Sequence, residues 1–443
     1  MELKGKRVVV VGLGRSGVAA ARLCQARGAE VLGVDSGSPA AAAELGARGI
    51  AIQCNDAEAR AAASAALVVV SPGVPQLSVF DECAARGVEV IGELELGCRF
   101  ATAPIVAVGG TNGKSTTTKL CGDIFAAAGR HAFVGGNYGI PVCEAVGSRF
   151  DVLVLEVSSF QLERAPSFHP RVSILLNVSE DHLDRYPDFH AYALAKGNAF
   201  LRQTSNDFAV VPAGDVVCEA QAARGQGRSV RYGQASAVAG LDYALAGSTL
   251  SETATDTHWE LGDTALCGTH NFYNAAAAIA AGRALGVHTE AIRQALSAFE
   301  PLPHRMARVT TRAGVTYYDD SKGTNVGAAV TALRGLSEPS AVLLAGGRDK
   351  QGSYAPLVAA LSERGRALVV LGEAAEAIAR AAAGALPVHR AASMAEAVSL
   401  AAELAKPGDA VLLSPACSSF DMYKSYAERG DDFQRFVNSL PAP

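Results

Sequence analysis

The chain has no CxxC pair, no even set of cysteines and no run of basic residues. Its nine cysteines, at 24, 54, 83, 98, 121, 143, 218, 267 and 417, argue against a disulfide framework and against a structural zinc site. They suit small buried hydrophobes in a reducing compartment. Net charge is −5 without a Lys/Arg cluster, so no nucleic acid is expected as a partner. No apolar run approaches bilayer length, so no membrane partner is expected either. The N-terminal "MELKGKRVVVVGLGRSG" has an apolar core only from Val8 to Val11 before Gly12. That is too short for a secretory signal and suits a buried first strand. A cytoplasmic protein is the expectation. Repeats of solenoid length are also absent.

What is present is a chain of 443 residues, 49% hydrophobic and 19% charged, enough to bury large cores in about three domains. Arg7–Val11, Val31–Val34, Leu67–Val70 and Val88–Ile91 read as buried strands of a parallel sheet. Ile105–Val108, Val152–Val157 and Val172–Leu176 open a second unit, in which Ala235 to Thr264 alternates like antiparallel strands before a helix over Asn271–Leu285. "FEPLPHRM", with Pro301 and Pro303, makes a joint and a candidate hinge. Strands at Val315–Tyr318, Val342–Ala345, Leu368–Leu371 and Val411–Leu413 form the last unit. The fold class is therefore α/β in three domains, 1–95, 96–301 and 302–443.

Two glycine loops stand out. "AVGGTNGKSTT" follows an apolar strand and precedes a helix starting near Lys114. Gly109, Gly110 and Gly113 let backbone N–H groups approach phosphate, Lys114 neutralises its charge, and Ser115 is placed to ligate Mg²⁺. Glu156 ends the apolar strand in "DVLVLEVSSFQLE", where an isolated buried carboxylate would need a cation nearby. His182 falls in a strand-to-helix loop, as a ligand or as an ordinary loop histidine. Phe189, Tyr192, Lys196, Ala199 and Phe200 share helical spacing, and spacing alone favours a snorkelling Lys196. The other loop, "GLGRSG" with Gly12, Gly14 and Gly17, is followed by Asp35 at a spacing that suits NAD, though the motif alone does not choose among nucleotide diphosphates.

"GGTNGKSTT", "LEVSSFQLE", "NVSEDHLDRY", "GTHNFYNAAAA", "LPHRM", "DDSKGTN" and "LLSPACSSFDMYKSYAERG" occur in the order seen in the Mur ligases, and the chain resembles that family along essentially its whole length. "SSFQLE" and "SPACSSFD" resemble most closely the branch that adds D-glutamate to UDP-N-acetylmuramoyl-L-alanine in peptidoglycan synthesis. The resemblance implies a Rossmann-like N-terminal domain that holds the UDP-sugar, a central P-loop ATPase-like domain that holds ATP, and a Rossmann-like C-terminal domain for the amino acid. It implies that Leu13, Gly14, Arg15, Ser16, Asp35, Ser36, Gly73 and Asn137 line the UDP substrate. It assigns ATP to Gly110, Thr111, Asn112, Gly113, Lys114, Ser115, Thr116, Asn271, Asn274, His304, Arg305 and Asp320. Lys114, Glu156, His182 and Lys196 are implied as catalytic, with Ser115, Glu156, His182 and Lys196 as Mg²⁺ ligands or close neighbours. At Lys196 the resemblance reverses the snorkelling reading and implies a CO₂-derived carbamate. Lys322, Thr324, Lys350, Ser419, Phe420 and Tyr426 would surround the amino acid, with Ser419 and Phe420 expected to begin a helix whose N–H groups face a carboxylate. A monomer is expected. A folylpolyglutamate synthase would leave the first glycine loop unused, and an NAD-dependent dehydrogenase or sensor would leave the central motifs unexplained.

Overall fold

The computed structural model describes residues 1–441 apart from 183–184, 267 and 350–351. Three sheets follow one another along the chain. In the first, which has five strands, Arg7–Val11 is central, paired in parallel with Glu30–Val34 on one side and Leu67–Val70 on the other. Every residue of Leu67–Val70 is buried, as expected of a β-branched strand covered by helices on both faces. Ala51–Gln53 and Glu89–Gly92 form the edges.

The second sheet has nine strands. Ile105–Gly109 lies between Val172–Leu175 and Val152–Glu156, all parallel, so their C-terminal ends open on one side. Its far edge is an antiparallel meander, Tyr243–Ala246, Thr249–Glu252 and Thr257–Glu260, matching the alternation in that stretch. Alanine has a structural use here. The helix Thr269–Ala284 is buried from Asn274 to Gly282 because its side chains are small. A Cβ added to Gly282 would stand 2.8 Å from Ile124 in the helix Lys114–Ala127, so the two helices pack nearly backbone to side chain.

The third sheet has six strands, with Ala410–Ala416 parallel to both Val315–Asp319 and Ala341–Gly346. An antiparallel edge strand, Ala307–Arg312, enters from the proline joint. At that joint His304 and Met306 take left-handed backbone, with φ of +59° and +49°. The other joint is the helix Glu93–Phe100, whose two glutamates are buried. Glu93 Oε1 accepts the Cys143 N–H at 2.7 Å, and Glu95 pairs with Arg99 at 2.7 Å. Burial pushes the Glu93 carboxyl up to about 7.

Among the described residues no helix is long and apolar enough to cross a membrane. One local expectation fails. Ser419 and Phe420 do not begin a helix: they lie in a turn, and the last helix runs Tyr426–Ser439. Ser425 caps that helix by accepting the Glu428 N–H, so the cap stands six residues later than Ser419.

Candidate active site

The phosphate loop is shaped by two left-handed glycines, Gly110 at φ +143° and Gly113 at φ +86°. Gly113 caps the helix Lys114–Ala127, which turns its N-terminal N–H groups toward the loop. Lys114 Nζ donates to the Thr111 carbonyl at 2.8 Å, so the ammonium is curled over the loop. Ser115 Oγ donates to Glu156 Oε2 at 2.5 Å, and Asn137 Nδ2 donates to Glu156 Oε1 at 2.7 Å. Glu156 is the last residue of its strand and only 3% exposed. Arg305, from beyond the proline joint, donates to the same Ser115 Oγ at 2.7 Å.

Lys196 is 4% exposed on the helix Phe189–Gly197. Its Nζ reaches the Gly110 carbonyl at 2.7 Å and lies 4.6 Å from the Tyr192 ring centroid. It is therefore buried against the phosphate loop and does not snorkel. Burial, then the nearby Lys114 charge, hold its amine well below the usual lysine range. His182 has φ +56°; its ring meets Phe160 edge-on at 4.9 Å, and Nε2 stands 3.7 Å from Asp181 Oδ2.

A second cleft, of about 660 Å³, lies between the first two sheets, with Gly14, Arg15, Ser16, Asp35, Ser36, Gly73 and Asn137 on its walls. Gly17 is obligatory for the loop: an added Cβ would lie 1.8 Å from the Gly12 carbonyl oxygen. Asp35 accepts N–H bonds from Leu13 at 2.7 Å and Gly37 at 2.9 Å, so both its oxygens fix the loop. Leu13 itself is buried and lines the adjoining cleft of about 1100 Å³. Asn137 thus touches both Glu156 and this second cleft, which joins the two glycine loops into one site.

Three models from one family cover most of the chain. They describe a MurD-like N-terminal domain over residues 6–92, a Mur ligase middle domain over 108–282 and a Mur ligase glutamate ligase domain over 304–417. A UDP-N-acetylmuramoylalanine–D-glutamate ligase of Geobacter metallireducens is 43% identical, across 99% of this chain and 99% of its own. One from Salinibacter ruber is also 43% identical, with 99% of each chain covered. The chain belongs to the Mur ligase family. Among solved structures, MurC of Thermotoga maritima matches with a TM-score of 0.60 at 19% identity, covering 98% of this chain and 100% of that one. A Mycobacterium tuberculosis folylpolyglutamate synthase complexed with ADP matches with a TM-score of 0.59 at 18% identity, covering 77% and 92%. These two likenesses carry the fold alone.

In this Mur ligase a cavity of about 110 Å³ lies between the central and C-terminal sheets, lined by Asn112, Gly113, Thr116, Asn271, Asn274, Arg305 and Asp320. Asn274 Nδ2 donates to Asn271 Oδ1 at 3.1 Å across one helix turn, consistent with their shared face. Burial pushes the Asp320 carboxyl up to about 7. His304 is not on this wall; its Nδ1 is 2.7 Å from Asp319 Oδ2 and it is buried. The sequence reading missed His270, which lines the cavity and whose imidazole burial holds neutral, with its pKa lowered to about 4. Its position next to Asn271 in "GTHNFYN" was the available signal.

The amino-acid set is less gathered. Lys322 lines the same 110 Å³ cavity and places Nζ 3.8 Å over the Tyr426 ring. Ser419 is buried, Phe420 is 64% exposed in its turn, and the Thr324 N–H bonds the Lys322 carbonyl. Lys350 lies outside the described residues. A further cavity of about 250 Å³, lined by Asp181, His182, Asn325, Asp349 and Tyr354, stands beside these groups and was not anticipated.

Gly113 gives a direct test of the loop. Gly113→Ala forces a side chain into left-handed backbone and brings its Cβ to 2.3 Å from Asn274 Oδ1. The expected result is a fall in affinity for an ATP analogue of about 30-fold or more, measured by calorimetry, with folding retained. Unchanged affinity would mean that the loop does not hold the nucleotide.

Proposed function

We propose that this Mur ligase joins the amine of D-glutamate to the alanyl carboxylate of UDP-N-acetylmuramoyl-L-alanine, consuming ATP through an acyl phosphate. The reading is carried by the full-length likeness to ligases of that name, 43% identical over 99% of the chain. The domain boundaries are 1–95, 96–301 and 302–443, and the enzyme works as a cytoplasmic monomer. An NAD-dependent reading has no use for the Ser115–Glu156 pair. A folate substrate has no use for the cleft at Arg15, Ser36 and Gly73.

A carboxylate resists attack because of its charge and resonance. Its oxygen therefore first attacks the γ-phosphorus of ATP, and ADP leaves. The amine then attacks the acyl carbonyl, a tetrahedral intermediate forms, and phosphate leaves as the nitrogen loses a proton. Two anions must meet in the first step. Lys114 and the loop N–H groups hold the phosphates, and Arg305 sits where transferring charge develops. Arg15 Nη2 donates to the Gly139 carbonyl at 2.8 Å, two residues from Asn137, so both side chains meet at the UDP cleft and orient the sugar-linked carboxylate. Lys322 and Tyr426 orient glutamate.

The donor set at the loop fits Mg²⁺: a serine hydroxyl and a buried carboxylate are hard oxygen ligands, and the carboxylate needs positive charge there. Ser115 and Glu156 would hold it, with His182 and a modified Lys196 nearby, and when bound it supplies charge neutralisation between the two anions. Lys196 carries a carbamate, formed as its neutral amine adds to CO₂ and releases one proton.

Phosphate release should require ATP, Mg²⁺, UDP-N-acetylmuramoyl-L-alanine and D-glutamate together, followed by a coupled colorimetric assay with each omitted in turn. Equal turnover with a folate in place of the UDP-sugar, or with L-glutamate in place of D-glutamate, would overturn the assignment.

A further inference from the structure

Two amide side chains that lie 213 residues apart in sequence meet beside the phosphate loop. Asn325 Nδ2 donates to Asn112 Oδ1 at 3.1 Å, and Asn112 Nδ2 donates back to Asn325 Oδ1 at 3.4 Å. Asn325 Nδ2 also donates to Asp181 Oδ2 at 3.2 Å. The Asn325 amide is not free to turn over. Asn325 Oδ1 caps the helix Val326–Arg334 by accepting the Ala328 N–H at 2.8 Å, so its NH₂ must face away from that helix. The Asn112 backbone is clamped by Asn177, whose Oδ1 accepts its N–H at 2.9 Å and whose Nδ2 donates to its carbonyl at 3.1 Å. The approach depends on Gly327: an added Cβ would stand 3.2 Å from Ser179 Oγ and 3.4 Å from Asn112 Nδ2. Asn325 is 8% exposed, so these bonds are sheltered from water.

We propose that Asn325 is a positioning residue that locks the C-terminal domain onto the phosphate loop through Asn112 and onto the Ser179–His182 segment through Asp181. It touches no reacting atom. It acts by holding closed the cleft where the 250 Å³ cavity forms from Asp181, His182, Asn325 and Asp349. Because Asn112 belongs to the loop that grips phosphate, a change in that loop is relayed directly to the C-terminal domain. The cavity lined by Asn112 and Gly113 lies between the central and C-terminal sheets, so releasing this lock widens it and remaking the lock narrows it.

The experiment uses the full chain with a fluorophore pair on the central and C-terminal domains, and two variants. Asn325→Ser keeps an N-cap oxygen but is too short to reach Asn112 or Asp181. Gly327→Leu keeps Asn325 and its cap but wedges the helix away from Ser179 and Asn112. Both should broaden the interdomain distance distribution without lowering the melting temperature by more than a few degrees. In Asn325→Ser, which loses the three bonds to Asn112 and Asp181, KM for D-glutamate should rise about tenfold, with kcat falling less because saturating substrate recloses the cleft. A wild-type distance distribution in both variants overturns the proposal. So does a raised KM with an unchanged distribution, which would make Asn325 a direct substrate contact. The kinetic arm rests on the ligase reading and the distance arm does not, so an inactive wild type would sink that reading and leave Asn325 to be decided by distance.

Discussion

Glu156→Gln should leave the protein folded and reduce ATP-dependent phosphate release by roughly 10²–10³-fold. The replacement has the same shape, and its amide can satisfy both neighbours. Its carbonyl can still accept from Asn137 Nδ2, and its NH₂ can donate to Ser115 Oγ, where the carboxylate now accepts at 2.7 and 2.5 Å. The hydrogen-bond network therefore survives with its directions partly reversed. What is lost is a negative charge at a site 3% exposed to solvent. A buried carboxylate is costly unless a cation joins it, so its removal should hold the melting temperature level or raise it. The same charge is what a hard divalent cation needs beside the Ser115 hydroxyl. The Mg²⁺ concentration giving half-maximal turnover should accordingly rise well above that of the wild type. Wild-type turnover and Mg²⁺ dependence in the variant would show that Glu156 only braces the loop. A melting temperature many degrees lower would show the same.

Much of this architecture was legible because buried parallel strands announce themselves. Arg7–Val11 and Leu67–Val70 are continuous β-branched runs, and their bounds match the structure. Short edge strands such as Ala51–Gln53 and Val388–Arg390 bury little and carry polar residues, so pattern had nothing to grip. Ala132–Gly136 ends in two glycines, which read as a turn. The last helix was expected to begin at Ser419 and Phe420, while "SYAE", Ser425 to Glu428, held the proper capping signature.

At the site, the residues that lie within one motif were the readable ones. Lys114, Ser115 and Glu156 follow from strand–loop–helix logic, because the open end of a parallel sheet collects them. Contacts between distant segments were not readable. Nothing in the local pattern pairs Arg305 with Ser115 or Asn325 with Asn112; those pairs exist because two separately folded sheets face each other across the proline joint. Nor does spacing show that Asp35, on the wall of the first cleft, also accepts the Leu13 and Gly37 N–H groups and so shapes the loop.

Lys196 separates charge from chemistry, and its substitution should be as damaging as that of Glu156. Spacing alone favoured a solvated ammonium, but Lys196 is 4% exposed and its Nζ is bonded to the Gly110 carbonyl at 2.7 Å. Burial favours the neutral amine, and the Lys114 charge nearby adds to that preference. A neutral amine can add to CO₂, whereas an ammonium cannot. The product is an anion placed beside Lys114 and the Ser115–Glu156 pair, where positive charge must gather for the two substrate anions to meet. Lys196→Arg keeps a cation but is always protonated and forms no such carbamate, so activity should fall by about 100-fold or more. Lys196→Ala should fall similarly, but it leaves a space lined by the Gly110 carbonyl and the Tyr192 ring. Millimolar formate or acetate should then restore part of the activity of the alanine variant and none of the arginine variant. A readout independent of turnover is a carbamate carbon resonance in protein equilibrated with ¹³C-bicarbonate, present in the wild type and absent from both variants. Full activity in Lys196→Arg would refute the carbamate, because a structural or purely cationic lysine is the role that arginine can fill.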